Sequence, residues 1–316
     1  MPAVITGHDL SQAVFLHPGQ GTQRVGMGRW FHRRSAAARR VLALVDAVGG
    51  IDLARVVRTG PAERLDDTRY AQPAIFATNL AAAAVLGERG VEAAAAAGHS
   101  VGEVSALVTA GVVDLEPAAR LVTRRATLMA SVATEGAMGL VAGLDVTVVE
   151  AICAELSGRA PLVVALENAP QQIVVSGAAR PVTRCLDRAR ATGARRAVRL
   201  RTSNAFHSPL MVDCRAEWAA AVDATEMRAP SIPLVLNSTG ELGDDVASIR
   251  RALVDQLTSP VRWTQVVGTL ARLHPSAFVE CGDSRYLASL NRAMDVAEPT
   301  LCLDTERRLA CSGIPA

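Results

Sequence analysis

Five alanines run into Gly98-His99-Ser100-Val101-Gly102-Glu103, and few local patterns limit a chain so narrowly. A G-x-S-x-G segment of this kind folds as a buried strand, a sharp turn and a helix. Its glycines let backbone approach backbone where side chains would clash. Helix propensity alone would make the alanines helical; the elbow requires a strand there, and a strand is expected. Val101–Ala110 then reads as the following helix, stopped by Gly111. Ser100 has a second reading. With Glu103 it also forms a Ser-x-x-Glu capping box, in which the serine is an N-cap and nothing more. Both readings stand at this point.

Size and composition remove whole classes of function. With 316 residues the chain suffices for one large domain or two smaller ones. Half the residues are hydrophobic and 20% charged, which excludes disorder over most of the length. Aromatic residues make up 3%, too few for base-stacking platforms. The net charge of +2, from 33 basic and 31 acidic residues, is too balanced for a dedicated nucleic-acid binder. Every basic residue is arginine, so there is neither a Schiff-base lysine nor a phosphate-loop lysine. The cysteines at 153, 185, 214, 281, 302 and 311 form no C-x-x-C pair and no metal-spaced Cys/His cluster. No metal is expected, and the thiols read as reduced in a cytoplasmic protein. No secretory signal pattern opens the sequence, and the best apolar stretch, Leu80–Leu86, is far too short to cross a bilayer.

Patterning supplies the organisation. Ala13–Leu16 is a short apolar run ending in His17-Pro18-Gly19-Gln20-Gly21-Thr22-Gln23, a buried strand entering a glycine loop. Helical spacing spans 74–86, with Pro73 placed to start the helix, and again 121–132. The middle of the chain reads as strand 137–142, helix 146–156, strands 162–166 and 173–175, helix 181–191 and strand 197–200. This β-α-β-β-α-β order is the ferredoxin-like unit. The expected architecture is α/β, with a small subdomain over 134–201 inserted into a larger domain made of 1–133 and 202–316. Beyond it, helices over 215–224, 248–257 and 263–273 mix with strands over 233–236 and 277–279.

A serine hydroxyl barely ionises and needs a base. Of the six histidines, His8 lies in a start read as disordered and His32 in an arginine-rich surface stretch, both expected to face solvent, and His274 lies in a helix-to-strand turn. His99 sits inside the elbow facing away from Ser100, and His17 closes the first strand. His207 follows the small unit in a polar loop, where a base between two units belongs; it is the first candidate and His274 the second. Two donors suit a developing oxyanion. One is the Val101 amide at the helix start; the other is Gln20, which its glycine loop can set over the elbow. Plain turn chemistry is the other reading of that loop, and it lacks the pattern of a phosphate cradle. Arg125 can hold a carboxylate bidentately; read alone, beside Arg124, it is an ordinary solvated helix arginine.

Taken together, these segments resemble the malonyl-CoA:acyl-carrier-protein transacylase family, which includes the acyltransferase domains of polyketide synthases. The likeness rests on Pro18-Gly19-Gln20-Gly21-Thr22-Gln23, the elbow through Glu103, Arg125 with Leu128-Met129, and Ala205-Phe206-His207-Ser208. Weaker echoes are Gln72-Pro73-Ala74, Asn168-Ala169-Pro170, Val174-Val175-Ser176-Gly177, and Gln256 with Pro260-Val261-Arg262-Trp263. The resemblance covers about residues 12–295 and implies an α/β-hydrolase-like core with an inserted ferredoxin-like subdomain. It implies ping-pong acyl transfer, in which Ser100 attacks an acyl thioester with His207 as base, and Gln20 and the Val101 amide hold the oxyanion. The phosphopantetheine thiol of an acyl carrier protein then takes the acyl group from Ser100. A backbone carbonyl near Gln256, rather than an aspartate, is implied to orient His207. Arg125 is implied to pair with the carboxylate of a malonyl-type substrate, and His99, Asn168, Phe206 and Gln256 to belong to the substrate site. Thioester exchange is nearly isoenergetic, so no cofactor, ATP or metal is implied. The implied partners are an acyl-CoA, with malonyl-CoA the donor, and an acyl carrier protein, with no nucleic acid and no membrane. In related polyketide acyltransferases Ala-Phe before the histidine accompanies malonyl. The Phe206 ring would crowd an α-methyl, and Val101 in place of Gln points the same way.

Four departures bear on the acyl group more than on the chemistry. His17 stands where Phe is usual, Ala130 where Gln is common, Asn204 where His is typical, and Gly282-Asp283-Ser284 where Gly-Pro-Gly is usual. Residues 184–201 hold seven arginines against one acid, Asp187. Arg184, Arg188, Arg195 and Arg196 are expected to meet an acidic carrier protein, and a solvated helix face is the alternative reading. Three other functions fit the same residues: an editing hydrolase that gives the acyl group to water, a carrier-to-carrier transferase in which Arg125 is idle, and a non-catalytic carrier-binding partner.

Overall fold

The computed structural model describes residues 4–5, 8–202 and 204–303; Cys311 lies outside the described residues. Ala95–Gly98 is a fully buried strand, as the elbow requires and against the helix propensity of alanine. It belongs to a parallel sheet whose strand order is Thr300–Cys302, Ala277–Glu280, Ala13–His17, Ala95–Gly98, Leu234–Val235. Helices cover both faces, so successive strand residues enter opposite layers. Ala13 and Phe15 pack with Ala81, Val85 and Leu86 on one side. Val14, Leu16, Ala95 and Ala97 pack with Trp263, Val266 and Leu290 on the other. Burial on both faces is why these strands read as unbroken apolar runs instead of alternating ones.

The second sheet is antiparallel, in the order Leu162–Ala169, Gln172–Ala178, Gly136–Ala142, Arg196–Arg199. Helices Val146–Ser157 and Ala179–Ala191 bury Val149, Ile152, Val182 and Leu186 against it. The molecule is thus an α/β-hydrolase-like core carrying a ferredoxin-like unit, the expected fold class. Backbone also ties the antiparallel sheet to the core, at the segment just before helix Trp263–Ala271: Glu167 N–H donates to the Val261 carbonyl and Val261 N–H to the Ala165 carbonyl, each at 2.9 Å.

Several local readings differ from the structure, and helix Tyr286–Ala293 and strand Thr300–Cys302 have no counterpart in the sequence reading. The helix expected to start at Pro73 spans Thr68–Gly87 and is capped by Asp67, whose side chain accepts Arg69 N–H at 2.9 Å. Pro73 lies inside it, where its missing N–H leaves the Arg69 carbonyl without the usual helical partner. The helix that carries Arg125 also begins earlier, as Leu115–Ser131. Helices Ala36–Gly49 and Leu53–Thr59 were not foreseen in the sequence; they bury Val41, Leu42, Val45, Val56 and Val57 in the main core.

Candidate active site

The elbow is built by close contact between backbones. A Cβ on Gly98 would lie 2.0 Å from the Gly102 carbonyl, and one on Gly102 would lie 2.1 Å from the His17 carbonyl oxygen. With side chains excluded at both positions, the chain turns hard enough to hold Ser100 at φ 54°, just before helix Gly102–Thr109. Ser100 stands at the carboxyl edge of the parallel sheet. Gln20 follows the strand ending at His17 and Asn237 the strand ending at Val235, so the loops converge where open α/β sheets place their ligands.

The Ser100 hydroxyl donates to His207 Nε2 at 2.7 Å. On the far side of the ring, Nδ1 lies 2.8 Å from the Gln256 carbonyl oxygen. A carbonyl only accepts, so Nδ1 carries the proton and Nε2 is free to take one from serine. Burial, and next the charge of Arg125, lower the His207 pKa to about 3, which keeps the ring neutral near pH 7. No other histidine among the described residues hydrogen-bonds Ser100. His17 meets Thr109 Oγ1 at 2.8 Å, and His99 meets Asn168 Oδ1 at 2.8 Å between the rings of Trp263 and Tyr286. His274 sits in the helix-to-strand turn at φ 52°.

Arg125 is not the solvated helix arginine of its isolated reading; it is 1% exposed. Its guanidinium donates to Gln72 Oε1 and Gln256 Oε1, both at 2.6 Å, and its Nη2 lies 3.5 Å from Ser100 Oγ. Burial lowers its pKa to about 10, which leaves it charged. Fully buried Glu103 sits close by. It accepts Asn237 N–H at Oε1 (2.7 Å) and Gln256 Nε2–H at Oε2. Asn237 in turn accepts Ser100 N–H at 2.7 Å and donates to the Gly98 carbonyl. The capping-box reading therefore fails: the elbow helix has Val101 as N-cap with no side-chain cap, and Glu103 faces inward. Burial outweighs these bonds and raises the Glu103 pKa to about 7.

A cavity of about 260 Å³ opens over Ser100 and His207, lined also by Gln20, His99, Met138 and Phe206. Thr68 Oγ1 donates to Gln20 Oε1 at 2.9 Å, which fixes which end of that amide is a donor. The Val101 N–H has no partner among the described residues. Gln256, Asn168 and Arg125 are not on the cavity wall. Asn168 reaches it through His99, while Gln256 and Arg125 stand behind Ser100. Arg184, Arg188, Arg195 and Arg196 are exposed on the ferredoxin-like unit and do not line this cavity; Arg188 lies 3.6 Å from Glu155. Sequence reasoning gave no role to Asn237, Thr68 or Gln72, and Glu103 only a capping one. For Asn237 a signal existed, a polar residue one step past a short apolar strand in an α/β chain. Among the described residues no His/Cys/Asp/Glu group could hold a metal, and no helix is long and apolar enough to cross a membrane. The arrangement suits nucleophilic acyl chemistry: a hydroxyl on a neutral, oriented imidazole, two candidate oxyanion donors, and a buried cation.

Residues 14–300 match the acyl transferase domain family. The chain is 34% identical over 284 residues to the malonyl CoA-acyl carrier protein transacylase of Bacillus subtilis (strain 168), covering 89% of this chain and 90% of that one. The crystal structure of malonyl-CoA:acyl carrier protein transacylase from Xanthomonas oryzae pv. oryzae superposes with a TM-score of 0.92 at 37% identity, over 96% of this chain and 98% of that one. A malonyl-transacylase in complex with its type II polyketide synthase acyl carrier protein also superposes at 0.92, with 32% identity over 96% and 99% of the two chains.

Proposed function

The chain belongs to the malonyl-CoA:acyl carrier protein transacylase family of acyl transferase domains, and from that premise we propose that it moves a malonyl group from CoA to the phosphopantetheine thiol of an acyl carrier protein through an ester on Ser100. The observation that carries the reading is the 2.7 Å bond from Ser100 Oγ to a His207 ring held by the Gln256 carbonyl. His207 Nε2 takes the hydroxyl proton as Oγ attacks the thioester carbonyl. Gln20 and the Val101 amide stabilise the oxyanion. Collapse breaks the C–S bond, and the departing CoA thiolate takes the proton from His207. The carrier thiol then gives its proton to His207 as its sulfur attacks the ester, and the proton returns to Ser100 Oγ. One thioester replaces another, so the cycle needs neither cofactor nor metal.

Arg125 supplies the preference for malonyl. In the free protein its partners are the amide oxygens of Gln72 and Gln256, and a substrate carboxylate beside Ser100 would add a charged acceptor to a buried cation. On this reading 1–133 and 202–316 form the catalytic domain and 134–201 the smaller one. Arg184, Arg188, Arg195 and Arg196 offer an acidic carrier a basic face, and the reaction proceeds in the cytoplasm. Intact-mass spectrometry after mixing with malonyl-CoA tests the proposal. Wild type should gain one malonyl group and Ser100→Ala none. Arg125→Ala should load malonyl about ten- to a hundredfold more slowly, the worth of one charge-assisted bond. An adduct on Ser100→Ala, or undiminished malonyl loading by Arg125→Ala, would refute the corresponding role.

A further inference from the structure

Consecutive residues of the glycine loop line two different cavities, the catalytic one and a basic one. Gly21 and Gln23 line the catalytic cavity, and the next residue, Arg24, lines a cleft of about 650 Å³ with Arg29, Arg33, Arg34 and Trp30. Arg29 and Arg33 also face an adjoining hollow of about 450 Å³ that contains Arg58. The one acid in these linings is Asp283, whose side chain is 9% exposed and already engaged. It accepts Gly28 N–H at 2.8 Å and pairs with Arg24 at 2.5 Å. Asp283 stands at one of the positions where the sequence departs from its family pattern. It sets Arg24 at the start of helix Arg29–Arg34 while leaving that guanidinium 54% exposed.

Some surface arginines elsewhere are neutralised locally, as in Arg55–Asp52, Arg120–Glu116, Arg124–Glu217 and Arg228–Asp114. Others, such as exposed Arg184 and Arg196, have no acidic partner among the described residues but do not line this cleft. Arg29, Arg33 and Arg58 have no acidic partner among the described residues. Like charges gathered in a concavity raise the local potential and attract a multivalent anion.

We infer that this cleft binds the nucleotide end of the CoA donor, its diphosphate and 3′-phosphate, while Ser100 works on the thioester end; the inference rests on the function proposed above. Guanidinium forks match phosphate oxygens bidentately. A concavity of this size holds a small ligand, not the face of a folded carrier. The carrier's arm ends in a single phosphodiester, whereas CoA continues to a polyanion, so the arginines favour the donor in the first half-reaction.

Charge reversal at Arg29→Glu with Arg33→Glu tests this. Both side chains are exposed on a helix anchored by Phe31, and neither touches Ser100, His207 or Arg125. At low ionic strength the KM for malonyl-CoA should rise about tenfold or more, with kcat unchanged and the effect shrinking as salt is added. Malonyl-N-acetylcysteamine, a thioester without phosphate, should load wild type and variant equally, which also shows that the variant is folded. Malonyl-dephospho-CoA should show a smaller wild-type advantage than malonyl-CoA, and the KM for the holo carrier should not move. An unchanged KM for malonyl-CoA overturns the inference. So does a rise confined to the carrier's KM, which would give the cleft to the carrier. Calorimetric titration with free CoA reads the cleft without turnover: affinity about tenfold weaker in the variant supports the inference even if wild type fails to transfer malonyl, and equal affinity overturns it.

Discussion

One carboxylate connects the positions of Ser100, His207 and Arg125. Glu103 takes Asn237 N–H on one oxygen and Gln256 Nε2–H on the other. Asn237 holds the Ser100 amide, while Gln256 holds His207 through its carbonyl and Arg125 through its side chain. Glu103 is thus a positioning residue, acting through two neighbours. In Glu103→Gln one oxygen becomes an NH₂ group facing another donor, an unsatisfied buried pair worth about 1–3 kcal/mol of stability. Acylation of Ser100 should slow about ten- to a hundredfold as Gln256 shifts. The pH profile separates this role from simple loss of fold. The Glu103 carboxyl has its pKa raised to about 7, so it gains a proton, and surrenders an acceptor, as pH falls through neutrality. Wild-type acylation should therefore decline on the acid side of pH 7 and the Glu103→Gln profile should be flat there. The His207 ring, lowered to about 3, contributes no limb in that range. A wild-type rate independent of pH across neutrality would remove the positioning role.

At the scale of elements, the strand–turn–helix depends on what glycine lacks. A methyl group at Gly98 would sit 2.0 Å from Gly102 backbone atoms, and backbone cannot yield as a flexible side chain can. Gly98→Ala should cost about 1–3 kcal/mol or more and abolish Ser100 loading, read by thermal denaturation and by intact mass. Native-like stability with full loading would show that the elbow tolerates a Cβ. The elbow was legible because its steric demand is local. The start of the Thr68–Gly87 helix was less so. Proline usually opens a helix, and here the Asp67 cap and tertiary burial of Thr68, Ala71 and Gln72 carry the helix through Pro73. Helix Ala36–Gly49 is hard to read from the sequence although Val41, Leu42 and Val45 are its buried stripe, because Arg39, Arg40 and small alanines fill its other positions.

Across the whole molecule, buried imidazoles make stability depend on pH below neutrality. His17, His99 and His207 have pKa values lowered from 6.5 to about 3, 4 and 3, chiefly by burial. Between those values and 6.5 the unfolded chain binds more protons, so the stability present above pH 6.5 is lost as pH falls. Glu103, raised from 4.5 to about 7, and Glu280, also raised by burial, work the other way above the ordinary carboxyl value and offset part of that loss. His17→Phe removes one imidazole from the core strand without touching the site. At pH 5 the variant should have lost about 2 kcal/mol less than wild type relative to pH 7, as urea midpoints at the two pH values will show. Parallel pH dependence in the two proteins would contradict this account.

Residue type and spacing by themselves determined the elbow, the β-α-β-β-α-β unit, and Ser100, His207 and Gln20 as candidates, because each depends on the chemistry of a short segment; Arg125, an ordinary helix arginine by its local pattern, gained a role only through the family resemblance. Folding alone decided that Ser100 and His207, 107 positions apart, meet at 2.7 Å. It also decided that Arg125 is buried on amide oxygens and that Glu103 braces the site where a cap was conceivable. Burial and long-range partners arise from contacts among distant segments, and no local pattern specifies which segments those will be.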